Sequence, residues 1–536
     1  EKINDPTNAL ESFNQLINEF PEHQLIPVTL FRVGELLFTF ERYEDAASRL
    51  KDLLALQNEE LMEAAQHRLA WCYYLLKDTE QLSALVDEFL IRFPDSKHKG
   101  EVVFLKAEIA YEKGNYNTAL KSYLEAVESG ETEDDFIAQS YYKLGLIYKK
   151  LNDCQKAIEA FNSLNNDFPS HTLSGVAVIQ AAQIYEKERA NPSEAFARYQ
   201  TYLTTTPNGQ YTELATFRTA VCQFAMEKYD DMAIAFEQFN TNFPDSSRVA
   251  EAMYYIGWNL ERKKDYEKAI TYYERMLASY TEENNDSSTS DTAHFNKLKE
   301  DTRFRLALCY YNAKRHPEAA EAFYDIFSQT PDLSSEKDIP EEVLLWLGEY
   351  FANEKNDYKK SVTIYKRLFD ENPASKWAER CLYRLGEWHG RLEEWKESAL
   401  RYERMLKDFP DSELATFTRL GTAEAYENLK DFPKALTLYE SLAKGGTTLV
   451  SARANLGMGN IFTAKGNYEE AILSYMYIAI LFDDAEVCSK ALLAASDCWL
   501  SMGDRKQSNA ALEELLGRYP DSPYSSEAKE KLQDSD

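Results

Sequence analysis

Fourteen small or apolar residues recur along this chain at an almost constant spacing. Ala9, Ala46, Leu82, Ala119, Ala157, Ala195, Met232, Ala269, Ala319, Ser361, Ser398, Ala435, Ala471 and Ser508 lie 37, 36, 37, 38, 38, 37, 37, 50, 42, 37, 37, 36 and 37 residues apart. Around each anchor the same template returns. Ala269 has Gly257 twelve residues before it, Leu260 nine before, Tyr266 three before, Tyr273 four after and Met276 seven after. Ala157 repeats this with Gly145, Tyr148, Cys154, Phe161 and Leu164, Ser398 with Gly386, His389, Trp395, Tyr402 and Met405, and Ala471 with Gly459, Phe462, Tyr468, Tyr475 and Ile478. A period in this range means stacked supersecondary units, none of which buries its apolar face alone.

Each unit reads as two antiparallel helices. A small residue at the anchor and another twelve before it let the two helices approach to about 8–10 Å. The aromatic four after the anchor fills the space beside that contact. Gly in Lys113-Gly114-Asn115-Tyr116 and Lys465-Gly466-Asn467-Tyr468 suits the left-handed end of the first helix. Pro6, Pro192, Pro317 and Pro433 open second helices, where a missing N–H costs nothing. Pro21, Pro94, Pro169, Pro207, Pro244, Pro331, Pro373, Pro410 and Pro520, each twelve after an anchor, close them. With two helices per unit and no strand signal, the fold class is all-α: a solenoid of about 14 helix-turn-helix units. The non-alanine anchors Leu82, Met232, Ser361, Ser398 and Ser508 are expected to loosen their helix pairs.

This pattern resembles the tetratricopeptide repeat (TPR) family over nearly the whole chain. The resemblance implies a right-handed superhelix whose concave face is lined by first helices. The connectors Phe93-Pro94-Asp95-Ser96, Phe243-Pro244-Asp245-Ser246, Phe409-Pro410-Asp411-Ser412 and Tyr519-Pro520-Asp521-Ser522 carry a second resemblance. They are similar to the repeats of bacterial envelope TPR proteins, such as the outer-membrane assembly lipoproteins and the Tol-Pal coordinator, which implies a periplasm or cell-envelope setting. The Asp or Ser after the proline also has a local use, accepting the free N–H groups of the next helix.

Composition narrows the partners. With 60 Lys and Arg against 90 Asp and Glu, the net charge of −30 excludes nucleic acid and anionic membrane surfaces as preferred partners. No run of about 18 apolar residues is present to insert into a membrane. The chain opens on Glu1 with no basic-then-apolar leader, as expected of a processed or trimmed product. Cys72, Cys154, Cys222, Cys309, Cys381, Cys488 and Cys498 are scattered without a CxxC and read as free, buried thiols, a composition that leans toward a reducing compartment. A Cys488–Cys498 bridge is the one alternative.

The organisation expected is an N-terminal arm (1–280) whose first unit lacks a first helix, an acidic polar insert (281–300), a C-terminal arm (301–525), and a capping helix and tail (526–536). The insert, with Glu282, Glu283, Asp286 and Asp291 before the first base at Lys297, reads as a solvated loop. A smaller insertion falls near Leu333 to Pro340. The two breaks together are the candidate hinge.

Chemistry is sparse. His23, His67, His98, His171, His294, His316 and His389 are spread along the chain, and none forms HExxH or a Cys/His zinc spacing. There is no Walker loop, no GxGxxG after a strand and no GxSxG. No catalytic, cofactor or metal residue is assigned, and the protein reads as non-enzymatic.

The concave face is the informative surface. Residues fifteen, eleven and eight before an anchor are expected to point into it, giving a protein-binding groove of His67, Trp71, Tyr74, Phe104, Glu108, Tyr111, Phe217, Phe224, Tyr254, Trp258, Glu261, Phe304, Tyr311, Tyr383 and Glu387. Those fifteen before the anchor can instead pack against the next unit. An aromatic and acidic groove suits protein partners that present helical or extended segments with apolar and basic side chains. It lacks the Lys and Asn cluster by which some family members clamp a C-terminal carboxylate. The function expected is a non-enzymatic interaction scaffold in a large hetero-complex of a bacterial cell envelope. The alternative is a cytoplasmic or periplasmic peptide-binding adaptor or chaperone; a third class is the regulatory arm of an enzyme.

Overall fold

A computed structural model describes residues 6–129, 132–279, 290–329, 339–444 and 446–533. Every regular element among them is an α-helix, α1 to α28 in chain order. First helices of the pairs are α2 (Ile26–Thr39), α4 (Glu59–Leu75), α6 (Lys99–Glu112), α8 (Asp134–Lys150), α10 (Thr172–Lys187), α12 (Thr212–Ala225), α14 (Val249–Arg262), α16 (Ser290–Asn312), α18 (Glu341–Asn353), α20 (Ala378–Arg391), α22 (Ala415–Asn428), α24 (Leu449–Ala464) and α26 (Ala485–Ser501). The anchors sit on the second helices: α1 (Pro6–Glu19), α3 (Tyr43–Ala55), α5 (Thr79–Arg92), α7 (Tyr116–Glu128), α9 (Cys154–Asp167), α11 (Pro192–Thr205), α13 (Tyr229–Asn242), α15 (Tyr266–Ala278), α17 (His316–Gln329), α19 (Tyr358–Glu371), α21 (Trp395–Asp408), α23 (Phe432–Ala443), α25 (Tyr468–Leu481) and α27 (Arg505–Arg518). The charged helix α28 (Ser525–Gln533) follows α27. The chain divides into two compact units, residues 1–284 and 285–536.

The pairing contact is as tight as the small residues suggest. Ala46, Ala119, Ala157, Ala195, Ala269, Ala319, Ala435 and Ala471 are wholly buried. A Cβ built on Gly257 would stand 2.7 Å from a ring carbon of Tyr273, so the ring four after the anchor occupies the space the glycine leaves. Serine anchors correct the expectation of looseness. Ser361 donates to the carbonyl of Gly348 at 2.6 Å, Ser398 to that of Gly386 at 2.7 Å, and the Ser508 and Ser496 hydroxyls pair at 2.8 Å. A hydroxyl no larger than a methyl thus ties the pair across the contact.

The turn inside each pair is also more uniform than its sequence. The residue five before the anchor takes positive φ whether it is glycine (Gly114, Gly466, Gly503) or not (Glu41, Lys77, Asn152, Ala190, Glu227, Lys264, Lys314, Asn356, Glu393, Lys430). One residue later, Asp78, Asp153, Asn191, Asp357 and Asp504 cap the second helix by accepting from the backbone N–H three residues on.

Between pairs, the connector serine bonds in both directions. Ser96 Oγ accepts from the backbone N–H of His98 at 3.0 Å and donates to Glu63 at 2.7 Å; Ser246 does the same with Arg248 and Glu213. Ser375 and Ser412 repeat the arrangement with Glu341 and Glu379. The serine therefore does not cap the helix as its sequence suggests, but holds the residue that leads into one first helix and fastens it to the N-terminal part of the preceding one.

One expectation about the breaks needs correction. The acidic insert is not a loop throughout, because α16 begins at Ser290 and takes in the part around Lys297. Residues 281–289 and 333–338, the rest of the two breaks, lie outside the described residues. All seven cysteines are free, six of them buried, so Cys488 and Cys498 are not bridged.

Candidate protein-docking groove

Within each unit several successive first helices approach one another across the pair boundary. α2 touches α4, α4 touches α6, α6 touches α8 and α8 touches α10; in the second unit α20, α22, α24 and α26 follow suit. Among the described residues no two second helices meet comparably. Close first helices and splayed second helices curve the layer, with the first helices on its inner side.

The residues expected on that side fall into three environments. Phe104 and Phe217 are core side chains rather than groove lining: Phe104 packs on Tyr123 and Phe136, and Phe217 on Phe236 and Phe239. Both stand fifteen before an anchor, where the side chain faces the neighbouring helix. His67 and Glu108 are buried too, but in polar networks. The rest are half-buried. Trp71 lies 5.0 Å from Phe136 and 5.6 Å from Tyr74, and Trp258 about as close to Phe224 and Tyr229. Tyr111 carries Lys143 over its ring, Tyr311 meets Trp346, Phe304 meets Phe323, and Tyr383 and Tyr254 lean on Tyr402 and Tyr273. Glu387 is paired with Arg384 at 2.6 Å.

A recurring device braces the inner carboxylates. The tyrosine four after the anchor fills the gap between the helices, and its hydroxyl emerges beside an acid on the first helix. Tyr273 donates to Glu261 at 2.8 Å, Tyr439 to Glu427 at 2.6 Å and Tyr199 to Glu186 at 2.8 Å; Tyr123 donates to Glu108. Burial, then the adjoining carboxylate, pushes the hydroxyls of Tyr123, Tyr199 and Tyr439 above the usual phenol range, so they remain donors. Glu108 also accepts from Tyr74 at 3.3 Å and Lys143 at 3.1 Å.

Three features escaped the sequence reading. The first is a depression of about 320 Å³ on the inner side of the second unit, lined by Trp395, Glu424, Glu427, Arg453, Asn460 and Lys490. Counting eleven and eight back from Ala435 reaches Glu424 and Glu427, so its signal was in the template. Desolvation raises the pKa of the half-buried Glu427 carboxyl, against the hydrogen bonds of Tyr439 and Asn460 and the charge of Lys490; exposed Glu424 is shifted the same way by the walls of the depression, against Arg453 and Lys490. The second is a knot of His67, His98 and Glu101 beside Trp71, with donor atoms all within 4.8 Å of one another. Its members are one repeat apart, which no short motif records.

The third is on a second helix, away from the groove. Leu473, Tyr477, Ile480 and Leu481 are 70, 42, 72 and 46 % exposed. Their spacing of i, i+4, i+7 and i+8 makes one apolar stripe along α25. Exposed Glu469 and Glu470 flank it at one end and Asp483 and Glu486 at the other, and α25 itself holds no Lys or Arg.

No helix is long and apolar enough to cross a membrane among the described residues. Comparison with known proteins agrees with the geometry. Models described as tetratricopeptide repeat match residues 139–171, 214–246, 301–332, 342–375, 380–412 and 490–522, then 250–282, and then 420–486. A similar curated protein is the TPR repeat-containing protein MJ1428 of Methanocaldococcus jannaschii, 22% identical over 165 residues, or 30% of this chain. The chain spans 28% of that relative's length. Among solved structures, the chain is similar to MamA MSR-1 C2 (17% identity, 34% of this chain and 97% of that one, TM-score 0.28). It is also similar to TTC0263, a thermophilic TPR protein of Thermus thermophilus (18% identity, 37% and 98%, TM-score 0.28). The matched repeats cover more than half of the 536 residues, at the period by which the helices pair, and the protein belongs to the tetratricopeptide repeat family.

Proposed function

We propose that this protein is a non-enzymatic scaffold that holds a fixed set of proteins in a larger assembly. Tetratricopeptide repeats mediate protein–protein interaction, and nothing in the motifs or the comparisons points to catalysis. The observation that carries the scaffold reading is the exposed stripe on α25. Solvated apolar side chains in one row mark a surface that spends its working life covered. Its acidic flanks select the occupant: a partner helix with an apolar face and basic residues at its ends. The inner groove, with its braced acids and half-buried aromatics, offers a second contact of the same charge preference.

The setting we infer is a bacterial cell envelope, on the resemblance of the Phe-Pro-Asp-Ser connectors. The serine of that motif also has a packing role at Ser96, Ser246 and Ser412, so the setting rests on the resemblance. A transient adaptor remains the competing reading.

Cross-linking of the native protein in its source cells, followed by mass spectrometry, tests the proposal. A fixed set of proteins linked to both units, with one cross-linked beside α25, supports the scaffold. Leu473→Glu combined with Ile480→Glu should remove that partner and leave helicity unchanged, because both side chains are exposed. A changing population of peptides linked only along the groove, or retention of the partner by the double variant, overturns it in favour of the adaptor.

A further inference from the structure

Among the described residues, the knot of two histidines and a carboxylate in the first unit is the one group of three or more His, Cys, Asp or Glu whose possible ligand atoms gather within 4.8 Å. His67 comes from the middle of α4. His98 stands at the start of α6 and Glu101 in its first turn. His67 and Glu101 are buried, at 7 and 8 % exposure, and His98 is half-buried. Glu101 uses both oxygens: Oε2 lies 2.9 Å from Nε2 of His67, and Oε1 lies 3.6 Å from Nδ1 of His98. The two imidazoles stack with centroids 4.0 Å apart and planes 16° from parallel. Trp71 Nε1 points at the same place, 3.2 Å from Glu101 Oε2 and 3.1 Å from His67 Nε2.

The two imidazoles and the carboxylate bring one ligand atom each to within 4.8 Å of one another in a largely buried position, which is close enough for one divalent ion to be shared among them. Zn–N and Zn–O bonds of about 2.0–2.2 Å in a tetrahedral set place neighbouring donors about 3.3 Å apart. His67 stands 2.9 Å from one Glu101 oxygen and His98 3.6 Å from the other, on either side of that value; because the imidazoles stack 16° from parallel, sharing one ion requires the half-buried His98 ring to turn its nitrogen out of the stack.

We propose that His67, His98 and Glu101 form a binding site for a zinc-class divalent transition ion. Two imidazoles and a carboxylate are a donor set for zinc, copper or nickel rather than for calcium or magnesium, which take oxygen ligands. Three protein ligands leave a fourth position for water or for a side chain of a bound partner. The ion joins α4 to α6 across a pair boundary, beside half-buried Trp71, and so fixes the spacing of these two first helices where the groove carries an aromatic. This inference is independent of the α25 surface and survives if that surface proves to be something else.

The test is zinc titration of the metal-free full chain by calorimetry, with cobalt as a spectroscopic stand-in. Wild type is expected to take up one ion per chain and to show the visible bands of nitrogen- and oxygen-bound cobalt. His98→Ala changes the most accessible ligand and should weaken zinc binding at least about tenfold, as should Glu101→Gln. Circular dichroism on both variants separates loss of a ligand from loss of fold. If Glu101→Gln disturbs the helices, His98→Ala decides alone. Binding of equal strength in wild type and His98→Ala, or no uptake by wild type at about 100 µM free zinc, overturns the proposal.

Discussion

Ser398 Oγ donates a 2.7 Å hydrogen bond to the carbonyl oxygen of Gly386, twelve residues earlier on the helix it packs against. Anchor and small partner are therefore bonded as well as close. Ser398→Ala keeps the volume and removes the bond, and should cost about 0.5–1.5 kcal/mol. Ser398→Leu overfills the same contact and should cost about 1–3 kcal/mol. A long repeat array does not unfold in one step, so the measurement is native-state hydrogen exchange in α20 and α21. Equal protection in wild type and Ser398→Ala would show that size alone holds the pair.

Lys264 has a φ of 63° and stands five before its anchor, where Gly114, Gly466 and Gly503 stand in other units. A Cβ in the left-handed region costs roughly 1 kcal/mol or more. Lys264→Gly is therefore expected to stabilise the α14–α15 pair by up to about 1 kcal/mol, less the backbone entropy glycine adds to the unfolded chain. Slower exchange of the amides in these two helices is the expected reading. Faster exchange would mean that the lysine side chain contributes more than its backbone costs.

The anchors, the pairing and the close approach of glycine to ring were legible in the sequence because all three are local to one repeat and recur. The left-handed turn was legible only where it held glycine, as at Gly114, and hidden where Lys264 or Glu227 took the same backbone. Groove residues were read less well. An offset from the anchor fixes direction around a helix but not what the next pair places against it, so Phe104 and Phe217 were counted as lining although Phe136 and Phe239 cover them. The His67–Glu101 contact spans 34 residues and the α25 stripe sits on the helix that the groove template ignores.

Trp258 packs 5.1 Å from Phe224 and 5.0 Å from Tyr229 while remaining half-buried. Its removal cannot be a pure loss of binding. Trp258→Ala should destabilise the α12–α14 region by about 2 kcal/mol, roughly half the cost of deleting a fully buried aromatic. Trp258→Phe should keep most of the packing. If the tryptophan also anchors a partner, capture falls in both variants while hydrogen exchange quickens only in Trp258→Ala. Unchanged capture in Trp258→Phe would confine the residue to packing.

Glu424 and Glu427 give the second unit's groove a pH dependence. Desolvation raises the half-buried Glu427 carboxyl above the ordinary value of 4.5, offset by the hydrogen bonds from Tyr439 and Asn460; Glu424, exposed at the rim, is shifted the same way by the walls around it, offset by Arg453 and reinforced by Glu427. A folded-state pKa above the unfolded one means that protonation favours the folded chain: this contribution to stability grows as pH falls through the raised values and is lost above them. Binding of a basic segment runs the other way, because only the ionised carboxylates attract it. Acidification from pH 7 down through the raised values should therefore weaken capture of a lysine-rich amphipathic peptide while the helices of this region stay protected. Glu424→Gln with Glu427→Gln should remove most of that pH dependence and leave the weaker, acid-form affinity at every pH. Fluorescence anisotropy of the labelled peptide across this range measures it. An unchanged pH profile in the double variant would place the basic contacts elsewhere on the chain.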